Sequence, residues 1–202
     1  MRVKGIGEDL PIKQKEPSKL DHVLPFPRSY WVIPGKFLAG AYPGSTDPEE
    51  AKEKIKALIH SGIRTVINLM EKDEVDSNGD PFSPYEEAFL EMGKASGLNL
   101  TCQRFPIKDL NVPSPPDMNR ILSDIDSSLP KDRPVFVHCW GGRGRTGMVV
   151  GCYLVRAGLS GQEALRKIKD LRQFEPTGHR PSPETTDQRE FVISWRNLDQ
   201  RV

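Results

Sequence analysis

The run HCWGGRGRTG occupies residues 138–147 and holds residue types that could together do chemistry on an anion. The apolar Pro134–Val137 before it reads as a buried strand, and the apolar Met148–Val155 after it reads as a buried helix. Cys139 therefore stands at a strand end, in a turn that opens onto a helix N-terminus. Glycines at 141, 142 and 144 let the backbone turn tightly with its N–H groups facing inward. Inward N–H groups at the positive end of a helix make an anion site. The same field favours the thiolate of Cys139, the nucleophilic form of a cysteine. Arg145 follows Cys139 after five residues and offers a planar fork to two oxygens of a phosphate. Nucleophile, anion cradle and fixed cation in one loop describe phosphoryl transfer through a cysteinyl-phosphate. The bland alternative is a structural cysteine beside a glycine turn, but such cysteines do not usually come with an anion-binding turn and an arginine. No Gly-Lys-Ser/Thr follows the glycines, which excludes a nucleotide-binding P-loop.

A phosphate ester also needs its leaving oxygen protonated. The proline-flanked segment 106–113 offers Asp109, on a loop expected to be flexible enough to close over a substrate. Asp117 is the other carboxylate, but it opens a helix and reads as its cap. After hydrolysis begins, the deprotonated Asp109 could take a proton from the attacking water. Thr146 could hydrogen-bond the Cys139 sulfur as it leaves. His138 reads as a group that shapes the loop and not as a base.

The spacing from Cys139 to Arg145, with His138 before it and Thr146-Gly147 after it, resembles the signature of the protein tyrosine phosphatase superfamily, dual-specificity type. The resemblance implies a catalytic set of Cys139, Arg145 and Asp109, the last matching the acid loop of dual-specificity phosphatases. It implies phosphate binding by the segment Trp140, Gly141, Gly142, Arg143, Gly144 and Arg145. Thr185–Phe191 is similar to the segment in which a glutamine positions the hydrolytic water, so Gln188 is a supporting candidate with His138 and Thr146. Otherwise Gln188 is an exposed residue of an amphipathic helix. Arg143 adds a second cation, which suits a substrate carrying more than one phosphate; as an ordinary loop arginine it would point to solvent or pair with a carboxylate. Trp140 could wall an aromatic or apolar group. The expected substrate is phosphotyrosine in proteins or peptides, with phosphoserine and phosphothreonine beside it. The alternatives are an inositol-phosphate or phosphoinositide phosphatase and, from another class, an inactive phosphate-binding module. No cofactor and no metal are expected.

The rest of the chain must position these groups. Its 202 residues, 36% apolar, suit one domain with a full core. A net charge of +1 points neither to nucleic acid nor to a membrane surface, so any preference for anions is local. Three cysteines form no disulfide framework; Cys102 and Cys152 read as core residues, either of which could protect Cys139 as a disulfide under oxidation. No apolar run approaches the roughly 20 residues of a membrane span, and the N-terminus lacks the apolar stretch of a signal peptide. A cytoplasmic protein is expected, and nothing in the chain sets an oligomeric state.

Residues 1–27 are rich in Lys, Glu and Pro and read as an arm, leaving 28–202 as the catalytic domain. A hairpin is expected over 30–39 around Pro34-Gly35, and a helix from Pro48 capped by Thr46 or Asp47. Strands are expected over 64–69, 98–106 and 134–137, and helices over 85–95, 117–129, 148–155, 162–171 and 184–195. Strands alternating with helices favour one α/β domain: a mainly parallel mixed sheet covered on both faces, with the signature loop between the last strand and a helix.

Overall fold

The computed structural model describes residues 23–196. Of the arm expected over 1–27, residues 1–22 lie outside the described part. Five strands make one sheet: β1 (Ser29–Ile33), β2 (Phe37–Ala41), β3 (Thr65–Asn68), β4 (Thr101–Arg104) and β5 (Val135–Cys139). Their order across the sheet is β1-β2-β5-β3-β4. Only β1 and β2 run antiparallel, joined at Gly35, whose φ of 68° suits glycine. The other pairings are parallel. The expected mixed, mainly parallel α/β sheet is what forms.

β5 lies in the middle because it can. Val135-Phe-Val-His-Cys139 is buried throughout, and a strand flanked by two parallel neighbours must be apolar on both faces. Side chains alternate along it. Val135, Val137 and Cys139 join one core with Phe37, Ile67, Met148 and Ile121. Phe136 joins the other core with Leu38, Val66, Leu58 and Phe89. The first core is covered by α3 (Pro115–Ser128), α4 (Arg145–Arg156), α5 (Gly161–Leu171) and α6 (Thr186–Ser194). The second is covered by α1 (Pro48–His60) and α2 (Glu86–Ala95). β2 ends level with Cys139, because Ala41 is its register partner, so the chain leaves the sheet there at the carboxyl edge of the parallel strands.

Several boundaries differ from expectation for local reasons. The strand expected over 98–106 shrinks to Thr101–Arg104. Gly97, at φ 68°, ends α2, and the Leu98 N–H folds back onto the Gly93 carbonyl at 2.9 Å. Asp47 is the cap of α1, its carboxylate accepting from the Glu49 N–H at 2.9 Å. Ser114, not Asp117, caps α3; Asp117 sits in the first turn and donates its N–H to the Ser114 hydroxyl. The helix after the signature begins at Arg145, three residues earlier than its apolar run suggests. Among the described residues no helix is long and apolar enough to cross a membrane.

Phe136 is fully buried, with its ring edge-on to Phe26 at 5.8 Å and stacked on His138 at 5.4 Å. Phe136→Ala should lower the unfolding free energy by about 3–5 kcal/mol. Urea denaturation would show it as a lower midpoint at unchanged slope, and a shift under about 1 kcal/mol would mean that the helices on this face collapse to fill the space.

Candidate active site

The signature forms a loop between the end of β5 and the first turn of α4. Gly142 has φ 69°, and a Cβ there would lie 2.5 Å from the Ala41 nitrogen and the Gly40 carbonyl carbon. Only glycine lets the loop pack this closely on the end of β2. The turn is fastened from outside as well. The Trp140 carbonyl accepts from the Tyr42 N–H at 3.0 Å, and the Gly141 carbonyl accepts from Arg28 Nη2 at 2.9 Å. A pocket of about 420 Å³ opens over the loop, with Cys139, Trp140, Arg145 and Asp109 among its walls. Gly141, Arg143 and Gly144 also line it, whereas Gly142 turns beneath them.

Arg145 lies under this loop with its side chain 1% exposed. A buried guanidinium needs counter-charge. Glu74, 10% exposed, supplies it through both carboxylate oxygens: Oε2 accepts from Nη2 at 2.9 Å, and Oε1 from Nη1 at close range. Nη1 also donates to the Ile107 carbonyl at 2.9 Å, and Asp109 Oδ1 lies 3.0 Å from Nη2. Burial works against the guanidinium's charge. The bond to Glu74 and the charges of Cys139, Glu74 and Asp109 outweigh it and hold its pKa above the ordinary arginine value. Arg145 Nε is different: it is buried and has no hydrogen-bond partner among the described residues. A buried donor left unpaired is costly and calls for an acceptor.

Asp109 is 46% exposed, on the loop between β4 and α3. That loop is tied at several points, against the expectation of a freely closing segment. The Ile107 N–H donates to the Leu69 carbonyl at 3.0 Å. Leu110 takes a left-handed φ of 62°, and its carbonyl accepts from the Thr185 hydroxyl at 3.4 Å. Gln188 Nε2 donates to the Asn111 carbonyl at 3.1 Å.

Gln188 is fully buried, not an exposed helix residue. Its Oε1 accepts from the Glu184 and Thr185 N–H groups at 3.1 and 3.3 Å, which completes a capping box at the start of α6. The same amide lies beside the signature loop, since a Cβ on Gly144 would be 3.0 Å from Oε1. Gln188 thus fastens α6 to the Asp109 loop and lies against the signature loop.

Thr146 is buried, and its hydroxyl donates to the Gly40 carbonyl at 3.4 Å, so it is turned toward β2 and not to the Cys139 sulfur. His138 points to the opposite face of β5 from Cys139, packed between Phe136 and Tyr85. Its Nε2 is hydrogen-bonded to the Tyr85 hydroxyl and its Nδ1 lies 3.2 Å from the Cys139 carbonyl. Burial drives its pKa down to about 3, so the ring is neutral and braces the turn. Cys102 stays away from Cys139. Cys102 is level with Val66, which is level with Phe136, so it lies two strands and three residues from Cys139. Two strand spacings alone make roughly 10 Å, beyond the roughly 7 Å that a disulfide spans. Burial raises the Cys102 thiol to about 11 and pushes that of Cys152 well up, which keeps both protonated.

Arg143 reaches the pocket wall, but its guanidinium pairs with Glu184, and its carbonyl accepts from the Ser182 hydroxyl at 2.7 Å. Glu74, Glu184, Arg28 and Arg180 had gone unnoticed in the sequence. Glu74 carried the one available signal, an acid just beyond the carboxyl end of a parallel strand, where such sheets place ligands.

A thiol at the strand end, a buried arginine beneath the same loop and a carboxylate across the pocket mark a cysteine-dependent phosphatase of the tyrosine and dual-specificity superfamily. The family model described as "Swiss Army Knife protein, DSP-PTPase phosphatase domain" (PTP-SAK) matches residues 27–194, and the chain belongs to that family. It is 28% identical over 169 residues to the Arabidopsis thaliana "phosphatidylinositol 3,4,5-trisphosphate 3-phosphatase and protein-tyrosine-phosphatase PTEN1", covering 82% of this chain and 37% of that protein. It is 33% identical over 135 residues to the Mus musculus "protein tyrosine phosphatase domain-containing protein 1", covering 64% of this chain and 17% of that protein. The chain therefore spans well under half the length of these curated relatives. Among solved structures, Tk-PTP in its active form superposes with a TM-score of 0.63 at 25% identity, covering 88% of this chain and 99% of that one.

His138 makes a pH prediction. Its pKa falls from 6.5 to about 3 on folding, so the unfolded chain takes up the proton first as the pH drops. The contribution is complete above pH 6.5 and is lost as the pH falls toward 3, at about 1.4 kcal/mol per pH unit. His138→Gln should lack this part of the acid-side slope. Urea midpoints compared between pH 6.5 and 4 test it, and equal slopes for the two proteins would refute it.

Proposed function

We propose that the chain hydrolyses phosphate monoesters through a cysteinyl-phosphate on Cys139. The observation that carries this reading is one pocket lined by Cys139, Asp109 and the buried Arg145, whose Nε has no partner among the described residues. With Nη2 it forms the edge of the guanidinium that Glu74 leaves open, and two phosphoryl oxygens fit that edge. The Cys139 thiolate attacks phosphorus, and the bond from phosphorus to the ester oxygen breaks. Asp109 gives its proton to that oxygen, and the alcohol or phenol leaves. Water then attacks the cysteinyl-phosphate, Asp109 takes up the water's proton, and the S–P bond breaks to return thiolate and inorganic phosphate. Main-chain N–H groups of residues 140–145 and the N-terminus of α4 stabilise the charge that builds on the equatorial oxygens. Gln188 acts by holding the Asp109 loop, with one Nε2 hydrogen left for a water.

Two substrate readings compete. Trp140 on the pocket wall, and the relatives' names as tyrosine phosphatases, support phosphotyrosine in proteins, with phosphoserine and phosphothreonine beside it. The arginines around the mouth, and the Arabidopsis relative's name as a phosphoinositide phosphatase, support a phosphorylated inositol. The module without activity is disfavoured because nucleophile, arginine and acid line one pocket.

Turnover of p-nitrophenyl phosphate in the presence of a chelator tests the enzyme reading. Cys139→Ser should abolish that turnover while keeping phosphate binding, because an alcohol is hardly ionised at neutral pH; ordinary activity in this variant would sink the mechanism. Asp109→Asn should cost about 10²–10⁴-fold on an alkyl phosphate and far less on p-nitrophenyl phosphate, whose leaving group hardly needs the proton. An equal loss on both esters would make Asp109 a structural residue only.

A further inference from the structure

The pocket mouth is more basic than one phosphate requires. Four arginines, at 28, 143, 145 and 180, line it against two carboxylates, Asp109 and Glu184. The carboxylates are taken up by Arg145 and Arg143 respectively. Among the described residues, neither Arg28 nor Arg180 makes an ion pair. Arg28 is exposed and spends one donor on the Gly141 carbonyl, which sets its charge beside the signature loop. Arg180 comes from a separate segment, on the turn after α5.

That turn is built to hold its shape. Arg172, 1% exposed, bonds to the Glu175 carboxylate, to the Thr177 hydroxyl at 3.1 Å and to the Arg180 carbonyl at 3.3 Å. The Gly178 N–H donates to the Glu175 carbonyl at 2.8 Å and the Arg180 N–H to the Thr177 carbonyl at 2.9 Å. A buried arginine thus fixes the segment that brings Thr177 and Arg180 to the pocket. The positive field is felt inside it. Burial, then the charges of Arg180 and Arg172, with Arg28 adding to them, press the Arg143 pKa below its ordinary value.

We infer that Arg28 and Arg180 form a second anion subsite, which holds a phosphate group other than the one being hydrolysed and selects a polyol carrying two or more phosphates. The inference rests on the phosphomonoesterase reading of the same pocket. The volume of about 420 Å³ falls in the range of small-ligand sites, and Leu110 and Trp140 are the apolar side chains among its walls. Such a lining suits a compact, highly charged ring. Two cations carried by separate segments of the chain, one before β1 and one after α5, meet phosphates on different carbons of one ring, whereas an acidic peptide flank would meet charges strung along a groove. A free inositol polyphosphate and a phosphoinositide headgroup share this chemistry.

The test compares kcat/KM for an inositol bisphosphate or polyphosphate with that for p-nitrophenyl phosphate, in wild type, Arg28→Gln and Arg180→Gln. Each substitution should lower the ratio of the two about tenfold, the loss of one charge-assisted contact, and should do so mainly through KM. Added salt should lower the wild-type ratio in the same direction. A short-chain phosphoinositide runs beside the soluble polyphosphate, and whichever is turned over faster with the arginine-dependent ratio identifies the source. An unchanged ratio in both variants overturns the inference, as does a larger loss on an acidic phosphotyrosine peptide than on the polyol. Failure of the wild type to turn over p-nitrophenyl phosphate overturns the enzyme reading instead. The subsite is then read from binding in the Cys139→Ser background. There, Kd for the inositol polyphosphate should rise about tenfold in each arginine variant, and an equal rise for inorganic phosphate would overturn the subsite.

Discussion

The buried charge of Arg145 is the constraint from which much of the architecture follows. A guanidinium set under a loop, in contact with the sheet end, loses its water and must find counter-charges. The chain brings one from each of two distant loops: Glu74 from the connection after β3, and Asp109 from the connection after β4. The Ile107 carbonyl completes the set. The parallel order of the strands makes this possible, because the connections after β3, β4 and β5 all emerge at one edge of the sheet. The bidentate pair with Glu74 also fixes which edge of the guanidinium is left open.

What could be read from the sequence was what is local. The stretch from Val135 to Arg156 carries its strand, turn, cradle and helix in consecutive residues, so periodicity and glycine placement mark it. Cys139 and Arg145 were legible for that reason, and Asp109 because a proline-flanked acid stands out. Gln188 was legible as a residue and not as a role. Thr185 and Gln188 stand at capping-box spacing, but the bond to Asn111 spans 77 positions and leaves no pattern in the chain. Glu74, Arg28 and Arg180 escaped for the same reason. A charged residue in a polar loop looks solvated until the fold places a partner beside it. Arg143 lines the pocket, as its loop position suggested, but its partner Glu184 stands 41 positions away and left no pattern in the chain.

His138 and Cys139 illustrate how one strand divides two tasks. Adjacent residues on a strand face opposite sides, so the two cannot share a pocket however close their numbers. The histidine goes into the aromatic packing of Phe136 and Tyr85, where burial strips its charge, and its ring bonds to the Cys139 carbonyl. The turn is thereby braced from behind by a neutral group. A charged imidazolium there would itself need a counter-ion beneath the sheet.

In the proposed mechanism the position of Asp109 ties binding to proton transfer. In the structure its carboxylate lies 3.0 Å from Arg145 Nη2. A phosphoryl group on the open edge of Arg145 needs that same nitrogen together with Nε. On the mechanism proposed above, the two anions compete for one edge of the guanidinium, and the doubly charged phosphate, held also by the loop N–H groups, displaces the singly charged carboxylate. Glu74 stays, since it keeps its second oxygen on Nη1. In that mechanism displacement moves Asp109 off its cation as the ester oxygen arrives, which leaves the acid beside the leaving group. On the same mechanism the phosphoryl group is held on sulfur after the alcohol leaves, and Asp109 stands beside it to take a proton from water. On that reading Arg145 does more than anchor phosphate: through one nitrogen it sets where the Asp109 carboxylate stands when substrate binds.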